Sequence, residues 1–338
     1  MSAQRMKLRV EPRNLALKER FTIATKSWDQ AENVFVRLVW GDHEGIGEVS
    51  PEDRKGESVE GVVAQLEALD LKPVSGPFAL EELGHLLPAG AARCALDIAA
   101  HDLAAKVAGI SVAELLGMAG SSPPPTSVTV PIASVEQMVA RAAEFKDHPI
   151  IKTKVGFEGD VEALGQIRSV YPGKIRIDAN EGWEPEVAIA ALRKLEALDI
   201  ELCEQPIKAG RLDELRRVTE STSIPIFADE DVNMAEDVGR LAGVVNGVNL
   251  KLRKTGGIRE AIRAIHAARA LGLGVMIGCD LESGVAATAQ GTVATLADHC
   301  DIDGPLLLVH DPFPGVTYDR GRVTLPAGPG LGVQELGG

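Results

Sequence analysis

Aromatic residues are scarce in this sequence, at 4% of 338 positions. Its core must therefore rest on Ala, Val, Leu and Ile, within an apolar share of 45%, enough for one large domain or two ordinary ones. Cysteine is rare and scattered: Cys94, Cys203, Cys279 and Cys300 form no CxxC pair, which favours reduced, buried thiols over bridges or a zinc site. No run of 18 apolar residues is present, so no transmembrane helix is expected. The start, MSAQRMKLRVEPRN, lacks the apolar stretch of a signal peptide. Positive charge is also short. A net charge of -14 leaves no basic face for nucleic acid. These absences lead to the expectation of a soluble, cytoplasmic protein.

What is present falls into two rhythms. Up to about residue 120 strands come first, in MKLRVEP, NVFVRLVW and EGIGEV, and helices follow, in ESVEGVVAQLEAL and AARCALDIAAHDLAAKVAG, the last stopped by Gly109. Strands followed by helices predict an α+β domain over residues 1–122, with SSPPPTS as the linker. From residue 127 short apolar runs alternate with helical segments. The runs are SVTVPI, IIKTKV, KIRIDAN, IELCEQP, IPIFADE, GVNLKL, LGVMIG and PLLLVH, with EVAIAALRKLEALD and GIREAIRAIHAARALG among the helices. Eight such repeats predict a parallel (β/α)8-type barrel over residues 123–315. An open doubly wound sheet is the alternative, but no GxGxxG follows an early strand. GPGLG reads as loop. GVTYDRGRVTLPAG reads as a hairpin in a last segment, 316–338, that returns to the first domain.

Barrel enzymes place their chemistry at the C-terminal ends of the strands. Here the apolar runs stop at charges: Lys152 and Lys154, Asp178 with Asn180, Glu204, Asp229 with Glu230, and Lys251. The acids Asp178, Glu204 and Asp229 are spaced about 25 residues apart, one per βα unit. Three converging carboxylates repel unless a cation sits among them. Oxygen donors with no His or Cys beside them favour Mg2+, and Mn2+ is also suited. Any one of these acids is as well explained as a solvated loop residue; three at matched strand ends are not. Lys154 and Lys251 bracket the acids. A lysine near another cation, here Lys152 or the metal, has a lowered pKa and serves as a base near neutrality. A base beside Mg2+ suits removal of a proton next to a carboxylate.

Taken in order, IIKTKVG, IRIDANEGW, LCEQP, IFADED and VNLKLRKTGGI, with ARCALDIAAHDLAAK before them, resemble the enolase superfamily. The resemblance spans nearly the whole chain and is to the muconate-lactonizing subgroup, most of all its dipeptide epimerases. It implies an α+β capping domain on a modified (β/α)8 barrel. It also implies Mg2+ on Asp178, Glu204 and Asp229, with Lys154 and Lys251 as the acid/base pair. Lys152 would help bind substrate, and Asn180 and Glu230 would support the site. Relatives that use a His–Asp pair need a histidine near the end of strand seven, and LGVMIGCD has none. Two lysines on opposite faces permit racemisation or epimerisation, but also cycloisomerisation and dehydration.

In the dipeptide epimerases an Asp-x-Asp at the eighth strand binds the substrate α-ammonium group. DIDGPLLL resembles that motif, with Asp301 and Asp303 in the matching places; a polar turn ahead of a buried strand is the plainer alternative. Lys26, in FTIATKSW, stands where epimerases of Ala-Glu carry an arginine for the glutamate carboxylate. It would attract an acid without the bidentate fork, or else be an exposed loop lysine. Asp280, in MIGCDLESG, replaces an apolar residue of relatives. It would favour a basic or polar side chain, or else cap the next helix or pair with Arg253 or Lys254. The expected activity is an Mg2+-dependent dipeptide epimerase. An N-succinylamino acid racemase, an o-succinylbenzoate synthase or a muconate cycloisomerase is the alternative, and a binding protein on an inherited barrel is a third. The expected partners are a small-molecule substrate and further copies of the chain as a homo-oligomer, with no nucleic acid and no membrane.

Overall fold

A computed structural model describes residues 5–53 and 56–337. Its N-terminal region is an antiparallel sheet of β1 (Lys7–Thr22), β2 (Ser27–Trp40) and β3 (His43–Val49), in that order. Four helices follow: α1 (Val59–Glu67), α2 (Leu80–Gly84), α3 (Ala91–Ala108) and α4 (Val112–Leu115). Residues opposite each other in an antiparallel pair share a face, so Val34, Val36 and Leu38 lie with Val49, Gly47 and Gly45. That face meets α3, whose Ala95 and Ala99 approach the two glycines. The other face carries Phe35 and Glu48, both fully buried. Phe35 packs on Phe313, ring centroids 4.9 Å apart. α3 ends at Gly109 in the left-handed region (φ 71°), as the sequence predicts.

The second region is an eight-stranded parallel sheet in sequential order. Its strands are β4 (Val128–Val130), β5 (Ile150–Lys154), β6 (Lys174–Asp178), β7 (Ile200–Glu204), β8 (Ile226–Ala228), β9 (Gly247–Leu250), β10 (Gly274–Gly278) and β11 (His299–Asp301). A parallel bridge between Thr126 and Cys300 joins the two edges, so the sheet is nearly closed into a barrel. The crossovers are α5 (Val135–Glu144), α6 (Asp160–Val170), α7 (Pro185–Leu195), α8 (Leu212–Glu220), α9 (Ala235–Leu241), α10 (Leu252–Thr255) with α11 (Ile258–Ala270), and α12 (Gly284–Ala294). Glu48 of β3 fastens α12 to the N-terminal region. Its carboxylate accepts from Ser283 N (2.8 Å), Ser283 Oγ (2.6 Å), Ala286 N (3.1 Å) and Asn33 Nδ2 (2.8 Å).

One strand expectation fails. PLLLVH is not the eighth strand: residues Gly304–Leu307 form a helical turn, α13, with proline in its first positions. The strand is the shorter HCD before it, paired in parallel with β10. The apolar run instead lies against β1, where Leu308 bridges Leu17 and Val309 N donates to Ala16 O at 2.9 Å. Asp301 therefore ends a barrel strand and Asp303 follows it, rather than both preceding one.

The expected hairpin is present as β12 (Thr317–Asp319) and β13 (Arg322–Thr324). It packs on the barrel seam, with Thr126 N donating to Gly321 O at 2.8 Å and the Tyr318 hydroxyl to Ile302 O at 2.7 Å. The chain beyond it is what reaches the N-terminal region: Leu331 N donates to Asp102 at 2.7 Å, and Arg13 pairs with Glu335 at 2.7 Å. All four cysteines are free. Among the described residues, no helix is long and apolar enough to cross a membrane.

Candidate active site

Strand register assembles the site. At the C-terminal ends Lys154 lies opposite Asp178, and Asp178 opposite Glu204. Side chains at matched positions of neighbouring strands project to one side of the sheet. Asp229 comes one residue after β8 and Lys251 one after β9. The Lys152 ammonium stands among three acids, 3.0 Å from Asp178, 2.7 Å from Glu204 and 2.7 Å from Asp301. Lys154 Nζ donates to Asp178 Oδ2 at 2.6 Å, while Asn180 N donates to Oδ1 at 3.0 Å. Asn249 Nδ2 donates to Glu204 Oε1 at 2.8 Å. Asp229 is paired with Lys254 and, at 3.4 Å, with Lys251.

Burial, then the neighbouring Asp178, pushes the Glu204 carboxyl up to about 7, although Lys152 opposes the shift. Glu230 is pushed up to about 8 by burial and by Asp229. These acids sense one another across adjacent strands. Three hard carboxylates so placed are the donor set that a hard divalent cation takes, and the residues fit Mg2+ in kind. As they stand, among the described residues, no three Asp, Glu, His or Cys side chains are grouped as a ready metal cage; ammonium groups pair with them instead.

Acids set the direction of the pKa at Lys251 and Lys152. Burial acts to lower the Lys251 pKa, but Asp229 and Asp280 outweigh it and hold it well above the ordinary value. Lys152 is likewise raised against burial, by Asp178, Asp301 and Glu204. The lysine that is lowered is Lys254, through burial and, despite Asp229, with help from Lys251.

A cavity of about 510 Å³ opens above these groups, and every substrate residue named from the sequence lines it: Lys152, Asp280, Asp301 and Asp303 from the barrel, and Lys26 from the N-terminal region. Lys154, Lys251 and Asn180 line it too. Asp301 is already well bonded, accepting from Ser127 Oγ at 2.6 Å and from Lys152 at 2.7 Å. Asp303 is less so: Oδ2 accepts from Thr129 N at 2.6 Å, whereas Oδ1 meets the Cys279 thiol at 3.9 Å. Burial and Asp301 push the Asp303 carboxyl up to about 6.

Of the readings offered for Asp280, pairing with Arg253 is what the structure contains, at 2.6 Å, beside a contact to Lys251 at 3.2 Å. It does not cap α12, whose N-cap is Ser283, and Lys254 turns to Asp229 instead. Lys26 pairs with Asp53 at 2.6 Å and lies 4.8 Å from the Trp28 ring centroid. Lys254 on Asp229, Asn249 on Glu204, and Trp28 beside Lys26 are contacts that the sequence does not lead one to expect. Two of these left a signal. Asn249 precedes Lys251 by two, the strand period, and Lys254 follows it by three, one helical turn.

Residues 5–117 match the family described as mandelate racemase / muconate lactonizing enzyme, N-terminal domain, and residues 133–335 match the enolase C-terminal domain-like family. The chain belongs to the enolase superfamily, in its muconate-lactonizing subgroup, and is an enzyme of the isomerase class. It is 35% identical to the L-Ala-D/L-Glu epimerase of Bacteroides thetaiotaomicron, over 98% of this chain and 88% of that protein. The dipeptide epimerase of Enterococcus faecalis V583, complexed with Mg and the dipeptide L-Leu-L-Tyr, superposes with a TM-score of 0.93 at 30% identity, over 98% and 100% of the two chains. The N-succinyl Arg/Lys racemase of Bacillus cereus superposes with a TM-score of 0.92 at 28% identity, over 98% and 95%.

Proposed function

We propose that this protein is a dipeptide epimerase, inverting the carbon next to the substrate carboxylate by proton transfer between Lys154 and Lys251. The observation that carries the reading is the acid pair Asp301 and Asp303 on the wall of the same cavity that holds both lysines. Paired carboxylates suit a cationic group, and a free dipeptide brings one in its α-ammonium. Asp303 is the better placed of the two, since Asp301 is committed to Lys152 and Ser127. A charge-assisted bond from the ammonium to Asp303 would fix the peptide's N-terminus.

Asp178, Glu204 and Asp229 are the residues that would hold Mg2+ or Mn2+. Such a cation stabilises the negative charge that builds on the substrate carboxylate as the adjacent proton leaves. The chain's own part is positional. One lysine, as the neutral amine, takes the proton from one face, the other, as the ammonium, returns one from the opposite face, and the buried floor keeps both side chains oriented. Lys26 and Asp280 would tune the second side chain. Asp280, neutralised by Arg253 and Lys251, contributes less to recognition of a basic side chain than a lone carboxylate would.

The fold match to an N-succinyl racemase supports a second reading, in which the substrate is an N-acylated amino acid. A mass-spectrometric screen of mixed L,L-dipeptides in D2O separates the two. Incorporation of one deuterium into free dipeptides supports the epimerase. Turnover of N-succinyl amino acids with none of free dipeptides replaces it with the racemase.

A further inference from the structure

The two lysines are held differently, and the difference traces to the N-terminal region. Lys154 ends a barrel strand and bonds to Asp178 on the next one. Beside Lys154 itself the N-terminal region approaches through the Ala24 methyl group, close enough that a Cβ on Gly156 or Gly182 would stand 3.1 or 2.9 Å from it, and its polar contacts on that side fall one unit away, where Thr22 O accepts from Ile132 N at 2.9 Å and Glu19 pairs with Arg141 at 3.4 Å. The Ala24 contact is apolar.

Lys251 stands outside β9, as the N-cap of the four-residue α10. α3 grips the turn that follows. Arg93 donates to the carbonyls of Thr255 (2.6 Å) and Gly256 (3.1 Å), and Asp97 accepts from Ile258 N at 2.7 Å. Gly256 and Gly257 have φ of +80° and +126°, and a Cβ there would lie 2.4 Å from Arg93 or 2.3 Å from Asp97. Glycine is favoured at both by conformation, and at Gly257 also by the space Asp97 leaves. Arg253, 4% exposed, adds a second grip. Its Nη1 pairs with Glu57 of the N-terminal region at 3.0 Å and its Nε with Asp280 at 2.6 Å, and Asp280 reaches Lys251 at 3.2 Å. Glu57, Asp280 and Lys251 line the cavity, whereas Arg253 lies behind its wall.

We infer that Arg253 is a positioning residue that fixes Lys251 through Asp280 and ties this lysine, and not Lys154, to the seating of the N-terminal region. The inference rests on the two-lysine epimerase reading above. Among the described residues Lys251 pairs with two acids, Asp229 at 3.4 Å and Asp280 at 3.2 Å. Asp229 belongs to the proposed metal set and is also paired with Lys254. Asp280 is thus the anion left to orient the long lysine side chain. A carboxylate shared with a buried guanidinium has a fixed rotamer, which a solitary one lacks. Proton transfer is sensitive to such placement, because the base must stand within hydrogen-bond reach of the proton it takes.

The test measures initial rates of α-proton exchange in D2O for each epimer of one dipeptide separately. The epimer served by Lys251 is first identified as the one that Lys251→Ala no longer exchanges. Arg253→Met is expected to slow exchange of that epimer about ten- to a hundredfold, chiefly in kcat, and to leave the other epimer little changed. Arg253→Lys should restore part of the loss. Glu57→Gln keeps its hydrogen-bonding shape and should give a smaller loss on the same epimer, which covers the case in which Arg253→Met does not fold. Equal loss on both epimers, or no loss in any variant, overturns the inference. A wild-type enzyme that exchanges neither epimer overturns the epimerase reading itself, and the inference with it.

Discussion

The floor of the cavity and its roof are made of different material. The floor is strand ends: Lys152, Lys154, Asp178, Glu204 and Asp229 are all buried, and parallel register sets which of them face each other. The roof is the turn between β1 and β2 with the adjoining strand ends, the loop after β3 and the start of α1, and its Lys26–Asp53 pair is partly in water, with side chains 29% and 63% exposed. A floor dictated by register changes only if the barrel changes. A roof of loops can change while the barrel stays as it is. A dipeptide epimerase and an N-succinyl Arg/Lys racemase both superpose on this chain with TM-scores above 0.9, as a shared floor under different roofs would allow. On the proposed reading, chemistry belongs to the floor and choice of the substrate's second side chain to the roof, and each change below tests one side of that division.

The floor should give the largest effects. Glu204→Gln removes a charge from the proposed metal set and should reduce kcat by several orders of magnitude for every substrate. Dialysis against EDTA should do the same, reversibly with Mg2+. Full activity in excess chelator would remove the metal from the account. Lys154→Ala and Lys251→Ala should each abolish epimerisation, while one epimer in each variant still exchanges its α-proton with solvent. Near wild-type epimerisation in both variants contradicts the two-base assignment.

The same division decides what could be read from the sequence. Asp178, Glu204, Asp229 and the two lysines are legible because an apolar run that stops at a charge marks a strand end, and strand ends of a barrel face one site. The eighth strand is not legible in this way. HCD is three residues long, too short to show a period, whereas PLLLVH beside it is long and apolar but serves as packing against β1. The loop residues are legible least. Arg253 is one of several partners the sequence offers Asp280, with nothing local to select it, and Asp53 is not offered for Lys26 at all; both pairs join side chains 27 residues apart. No local pattern fixes such pairs. Lysine pKa values have the same limit, since their direction depends on acids contributed by other strands.

Between floor and roof lies Asp303, and its effect should be intermediate. Asp303→Asn should weaken kcat/KM for a free dipeptide by about 1.5–3 kcal/mol through loss of a charge-assisted bond. An N-acetylated analogue, which has no ammonium, should lose far less. The carboxyl is pushed up to about 6, so it is charged above that pH and neutral below. Preference for the free over the acetylated peptide should therefore fall as pH drops through about 6. Stability runs the other way: an acid with a raised pKa favours the fold when protonated, and that contribution is lost as pH rises from the ordinary carboxyl range to about 6. An equal loss for both peptides would mean that Asp303 only braces Thr129 and the end of β11.

The smallest effect should come from the roof. Lys26 sits between Asp53 and the Trp28 ring, so an acidic substrate side chain must compete with Asp53 for an ammonium that has no guanidinium fork. Exposed ion pairs contribute about 0–1 kcal/mol, and Lys26→Gln should cost no more than that, about fivefold at most, in kcat/KM for dipeptides with an acidic second residue. Apolar dipeptides should be unaffected. The difference should shrink between low and high salt, because the charges involved are screened within about a Debye length, roughly 10 Å at 0.1 M. Exchange of the α-proton in substrates already bound should not change, since Lys26 belongs to the roof. If Lys26→Gln instead lowers kcat alike for acidic and apolar dipeptides, Lys26 holds the roof loops over the floor, and the division between chemistry and choice fails at that residue.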